Sequence, residues 1–217
     1  MNNISKLEFI SELSAISKHS NYQKGLCLFL GAGADVSSGG VSFLELKKES
    51  VAFARNSKVH SYESLDQIDR EFNNFIESLN EESRCMVIQH LIKKSENWLP
   101  SDGYKLLILL AKEHYISSVI TTNFANLLET TQNIMGIEAF QIFTPATAVP
   151  SHYFLQTNQR KPVYLKMHGD LDGKLITHLT TSEIEQKNYQ KEFVDLFEYL
   201  IRNETIVFLG YSGWDTK

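Results

Sequence analysis

The chain has 217 residues, a hydrophobic fraction of 42% and a formal net charge of −5. That length suits one large α/β domain or two small ones. The acidic balance disfavours a polyanion-binding surface, so direct nucleic-acid binding is not expected, and no apolar run of about 18 residues predicts a membrane span.

The first residues, Met1 to Lys6, lack the apolar core of a signal peptide. Cys27 and Cys85 are the two cysteines, too few for a four-cysteine zinc site or a disulfide framework. No metal is therefore expected, and the compartment expected is the reducing cytoplasm.

Apolar residues at Leu7, Ile10, Leu13 and Ile16 follow helical spacing and predict an amphipathic helix over 5–18. Leu26 to Leu30 then reads as a buried strand running into a tight turn, Gly31-Ala32-Gly33. Glycine there permits a turn and a close approach that a Cβ would obstruct. Strand, glycine turn and helix is an arrangement that brings backbone N–H groups to a phosphate. The full G-x-G-x-x-G fingerprint is not met, because Val36 stands at the third glycine. A helix follows from near Ser42 to about Arg55.

Residues 60–97 are charged and contain neither proline nor glycine before Leu99 and Pro100. Leu65, Ile68, Phe72, Phe75, Ile76 and Leu79 recur at three and four residues, which predicts two or three helices. This region, about 57–99, reads as a small helical insertion, either a wall over a ligand or helical padding. Ser101 can cap a helix to about Glu113, and Ser117 to Thr121 reads as a strand. Next come a helix from Asn126 to about Asn133 and a short strand, Phe140 to Phe143. Residues 144–162 hold Pro145, Pro150 and Pro162 and read as a surface loop. Val163 to Met167 is a strand ending in His168-Gly169, with a further strand expected over Leu175 to His178. Ser182 to Glu185 is a capping-box pattern. A helix over Lys191 to Arg202 and a fully apolar strand, Thr205 to Leu209, complete the pattern. Alternating apolar strands and helices predict an α/β, Rossmann-like parallel sheet covered on both faces.

Four strands end in polar or glycine clusters: Gly31-Ala-Gly, Thr121-Thr122-Asn123, Lys166-Met-His168-Gly169 and Gly210-Tyr-Ser212. In an open α/β sheet the carboxyl ends of the strands face one ligand crevice. Asn123 can place a water or ribose hydroxyl without adding charge, or serve as a helix cap. His168 suits a general base, because imidazole titrates near neutrality. Asp35 can stand among the phosphate contacts or accept hydrogen bonds from turn amides. Tyr211 and Trp214 read as packing aromatics.

Gly-Ala-Gly, Thr-Thr-Asn-Phe, Lys-x-His-Gly and Gly-Tyr-Ser, in that order, resemble the sirtuin-like domains of bacterial anti-phage defence proteins, from about Gly25 to Asp215. The resemblance implies a 1–217 domain with NAD as substrate, Asn123 and His168 as catalytic residues, and Gly31, Ala32, Gly33, Asp35, Thr122, Asn123, Gly210 and Ser212 around the dinucleotide. It implies NAD hydrolysis to nicotinamide and ADP-ribose as an abortive-infection effector. It also implies C-terminal sensor or regulatory domains, or a partner protein, and a homo-oligomer. The missing zinc ribbon argues against the protein-deacylating branch. Asp35 and Val36 occupy the stretch where relatives carry serine, and Ala125 stands where an aspartate is expected. The alternatives are a non-catalytic NAD- or ADP-ribose-binding regulatory module and an NAD-dependent protein deacylase. An aspartate at 125 would cap the next helix and face the crevice, so Ala125→Asp is expected to raise both stability and turnover.

Overall fold

The computed structural model describes residues 7, 8, 11, 15, 25–41, 43–56, 79–95, 97–145, 147–150, 161–169 and 190–211. Its strands are β1 (Leu26–Leu30), β2 (Ser118–Thr121), β3 (Gln141–Phe143), β4 (Val163–Lys166) and β5 (Thr205–Leu209). Its helices are α1 (Phe43–Asn56), α2 (Glu81–Ser95), α3 (Asp102–Lys112), α4 (Leu127–Met135) and α5 (Lys191–Asn203). Leu7, Glu8, Ser11 and Ala15 are helical. The rest of the expected N-terminal helix, the expected helices over 57–78, the strand at Leu175, the capping box at Ser182 and Ser212 itself lie outside the described residues.

The five strands form one parallel sheet in the order β3-β4-β2-β1-β5. Side chains alternate faces along a strand, so each strand feeds two cores. Leu26, Leu28, Leu30, Val119 and Tyr164 pack with Tyr104, Ile108 and Ala111 of α3 and Leu127 and Leu128 of α4. Cys27, Ile120, Val163 and Leu165 pack on the other face against Phe193, Leu196 and Leu200 of α5. Burying a side chain of this size stabilises the fold by roughly 1.5–3 kcal/mol. Both faces are thus covered, as the continuous apolar strands predict.

β5 spans Thr205–Leu209, the range that its apolar run predicts. It lies at the edge of the sheet, with Phe208 58% exposed and Leu209 38% exposed. An apolar run does not distinguish an edge strand from a central one. The rings of Phe29, Phe208 and Tyr211 stand 5.0–5.9 Å apart between centroids, so Tyr211 is a packing aromatic here. Among the described residues no helix is long and apolar enough to cross a membrane.

Candidate functional site

The sheet order places the ends of β4, β2, β1 and β5 side by side at one edge. Backbone pairing continues past the strands and holds their following residues in register. Thr122 N–H donates to the Leu30 carbonyl at 3.2 Å, Met167 to Thr121 at 2.9 Å, and Gly31 to Leu209 at 3.0 Å. Gly31, Thr122, His168 and Gly210 therefore stand at the carboxyl edge, where ligands bind in open α/β sheets.

The glycines at this edge have a packing role. A Cβ on Gly31 would lie 2.6 Å from the Gly210 carbonyl oxygen and from Tyr211 Cα. One on Gly210, at φ +63°, would lie 2.2 Å from Ala34 N. Backbone packs on backbone here, which no side chain allows. The turn also uses its own donors: Gly33 N–H bonds the Gly210 carbonyl at 2.9 Å, Ala34 the Gly31 carbonyl at 2.9 Å, and Asp35 the Ala32 carbonyl at 3.1 Å. Ala32 opens a 3-10 turn, Ala32–Ala34, and a second follows at Val36–Ser38.

Ser38 docks the entry to α3. Its Oγ accepts from Ser101 N–H at 3.0 Å, and its carbonyl accepts from Leu99 N–H at 3.1 Å. Ser101 is the N-cap, as its sequence position predicts, although its side chain makes no cap hydrogen bond. This docking brings Tyr104, in the first turn of α3, against Asp35. The Tyr104 hydroxyl donates to Asp35 Oδ1. The alternative reading of Asp35, as an acceptor for turn amides, is corrected: its side chain makes no cap hydrogen bond to the turn it opens. Burial pushes the Asp35 carboxyl up to about 6, opposed by the hydrogen bond from Tyr104, by the nearby Asn123 amide and by the Lys166 charge, while Glu129 reinforces the rise. The Tyr104 hydroxyl is held well above its ordinary range, first by burial and then by the charge of Asp35.

Asn123 belongs to the same buried group. Its Nδ2 donates to the Gly31 carbonyl at 2.9 Å, and its backbone N–H to Thr121 Oγ1 at 3.0 Å. Thr121 Oγ1 in turn donates to the Leu30 carbonyl at 3.1 Å, tying β1, β2 and Asn123 together. One residue on, the Phe124 ring lies 5.7 Å from that of His168. The two catalytic candidates are thus joined through consecutive residues, Asn123 and Phe124. His168 is half-buried in the turn after β4, ahead of Gly169 at φ +78°.

The structure corrects the expectation for Ala125. The N-cap of α4 is Asn126, and Ala125 precedes it, buried in the core shared with α3 and β1. An aspartate there would bring a carboxylate into apolar surroundings instead of capping the helix. Asn126 itself makes no side-chain cap. Its Oδ1 accepts from Lys166 Nζ at 2.6 Å, and Glu129 Oε1 accepts from the same Nζ at 2.8 Å. Lys166 is fully buried beneath the edge. Tyr104, Lys166 and Glu129 carry no motif of their own. Their one signal is a polar residue recurring inside an apolar pattern, as Lys166 does after Val163-Tyr-Leu. Among the described residues no cluster of three or more His, Cys, Asp or Glu side chains could hold a metal ion.

Fold and edge together define a Rossmann-like α/β domain with its polar residues gathered at the strand ends. Residues 117–217 match the family model of the SIR2-like domain. That match covers the stretch that contains β2 to β5, Asn123 and His168, and it is consistent with a sirtuin-like domain. SIR2-like domains use NAD. No curated protein matches the chain.

Proposed function

We propose that this domain binds NAD along the carboxyl edge and hydrolyses the bond between nicotinamide and ribose. The observation that supports the reading most is the coincidence of the SIR2-like match with Asn123 and His168 at neighbouring strand ends. The leaving nicotinamide needs no protonation, because the bonding pair neutralises its pyridinium charge as the bond breaks. The barrier lies in the ribosyl cation-like transition state and in placing water at C1′. Asn123 holds the water or a ribose hydroxyl. His168 accepts the proton that water releases as the new C–O bond forms. Gly31, Ala32, Gly33, Thr122, Gly210 and Ser212 line the dinucleotide, with Ala32 at the start of the 3-10 turn. The proposal extends to an effector in bacterial anti-phage defence, acting with sensor domains or a partner and as a homo-oligomer; the resemblance supports that part.

Ala125 favours a second reading, an NAD- or ADP-ribose-binding module without turnover, since the aspartate that the resemblance implies is replaced by a core alanine. One experiment separates the readings. Nicotinamide release from NAD is measured with and without an acylated peptide. Release without peptide supports the hydrolase, binding without release the module, and peptide-dependent release a deacylase.

A further inference from the structure

Thr121 and Lys166 stand opposite each other in the register of β2 and β4, and the Met167 N–H donates to the Thr121 carbonyl at 2.9 Å. Asn123 follows Thr121 by two residues, and His168 follows Lys166 by two. From Asn123 to Asn126 the chain is neither strand nor helix. This loop is anchored at its entry to β1, where Asn123 Nδ2 donates to the Gly31 carbonyl at 2.9 Å. Its exit is anchored to β4. Lys166 Nζ donates to Asn126 Oδ1 at 2.6 Å and to Glu129 Oε1, in the first turn of α4, at 2.8 Å.

Both ends of the second anchor run against local preference. An asparagine at an N-cap ordinarily turns its side-chain oxygen to the first amides of its own helix, and Asn126 does not. A methionine in place of Lys166 would extend the apolar run Val163-Tyr-Leu and bury no ammonium. Exchanging a whole buried ion pair for neutral groups of similar volume is often accepted without loss. Neither capping nor packing therefore accounts for the tie.

We infer that Lys166 is a positioning residue: acting through Asn126, its ammonium holds the loop after β2 against β4 and so sets the spacing between Asn123 and His168. The chemical role of those two residues rests on the proposed function. Phe124 lies inside the loop, with its ring 5.7 Å from that of His168, and reports the spacing directly. With the exit untied, Asn123 keeps its bond to Gly31 while the loop is free to move from β4. Misplacing reacting groups by about 1 Å can cost on the order of a hundredfold in rate. The loss falls on kcat more than on KM, because the glycine turn and Gly210 are untouched.

The test compares three variants. Asn126→Leu removes the acceptor and leaves Lys166 paired with Glu129. Lys166→Met with Glu129→Gln removes the donor and strands no charge. Asn126→Asp keeps an acceptor oxygen in place. The first two should lower kcat for nicotinamide release from NAD by about tenfold and change KM by less than about twofold, whereas Asn126→Asp should stay within about twofold of wild type in both. In parallel, the nuclear Overhauser contact between the Phe124 and His168 rings should be present in the wild type and in Asn126→Asp and lost in the other two. If Asn126→Leu does not fold, the double variant carries the test; a fold lost in both means that the tie serves stability alone and overturns the inference. Wild-type kcat in folded Asn126→Leu or in the folded double variant overturns it, as does a kcat loss shared by Asn126→Asp. If the wild type releases no nicotinamide, the hydrolase reading falls, and the ring contact alone decides whether Lys166 positions the loop.

Discussion

His168 sits in the turn after β4 with its ring 5.7 Å from that of Phe124, outside both apolar clusters. Replacing it should therefore leave packing intact while removing the proposed base. His168→Ala is expected to lower nicotinamide release by about a hundredfold or more. Its circular dichroism and melting temperature should match the wild type; unchanged turnover would remove His168 from the chemistry. Ala125 stands in the opposite situation, enclosed by the core between β1, α3 and α4. A carboxylate there would be desolvated among apolar side chains, so Ala125→Asp should destabilise by roughly 3 kcal/mol. Thermal melts decide the matter, and a higher melting temperature would mean that the position caps α4 after all.

The elements are held at this edge by a few specific ties, and the buried pair between β4 and α4 is one of them. Lys166 Nζ meets Glu129 and Asn126 below the strand ends. Lys166→Met would leave Glu129 as a partly buried charge and should cost about 3 kcal/mol. Adding Glu129→Gln should recover most of that loss, because the stranded charge goes with it. Urea denaturation of the two single variants and the double measures the coupling, and additive losses would show that the pair does not act as a unit. Lys166 also explains part of what the sequence conceals. A lysine ending a strand reads as solvent-exposed, and only the packed sheet shows it enclosed. Strands such as Leu26–Leu30 and Thr205–Leu209 were legible, because uninterrupted apolar runs leave little else possible. Their ends differ by a residue elsewhere, as at Ser117 and Met167, where backbone pairing continues one residue past the strand. The strand-end residues were legible for the same topological reason, since a parallel sheet gathers its carboxyl ends. The contact of Tyr104 with Asp35 was not, because 69 residues separate them and an aromatic on an amphipathic helix reads as core.

Across the whole molecule, Asp35 couples stability to pH in a direction unusual for a carboxylate. Its folded pKa is raised from 3.8 to about 6. Between those values the native state binds the extra proton, so this contribution is fully present below 3.8 and is lost as pH rises through 6. The charged form thus costs on the order of 3 kcal/mol at neutral pH. Asp35→Asn should remove this slope, so the difference in unfolding free energy between variant and wild type should change between pH 4 and 7 and then level off. A constant difference across that range would show that Asp35 does not titrate on folding. The glycine turn carries one more consequence, which concerns the order of assembly. Gly31 and Gly33 bond to Leu209 and Gly210, at the end of the last described strand in chain order. Such distant pairings form late, since the intervening chain must first be ordered. During synthesis the turn next to Asn123 is therefore incomplete until β5 emerges and docks. A nascent chain ending before Thr205 should fail to retain NAD in a ribosome pull-down, whereas one extended well past Leu209 should retain it. The protein would then withhold any ligand-consuming activity until β5 has left the ribosome.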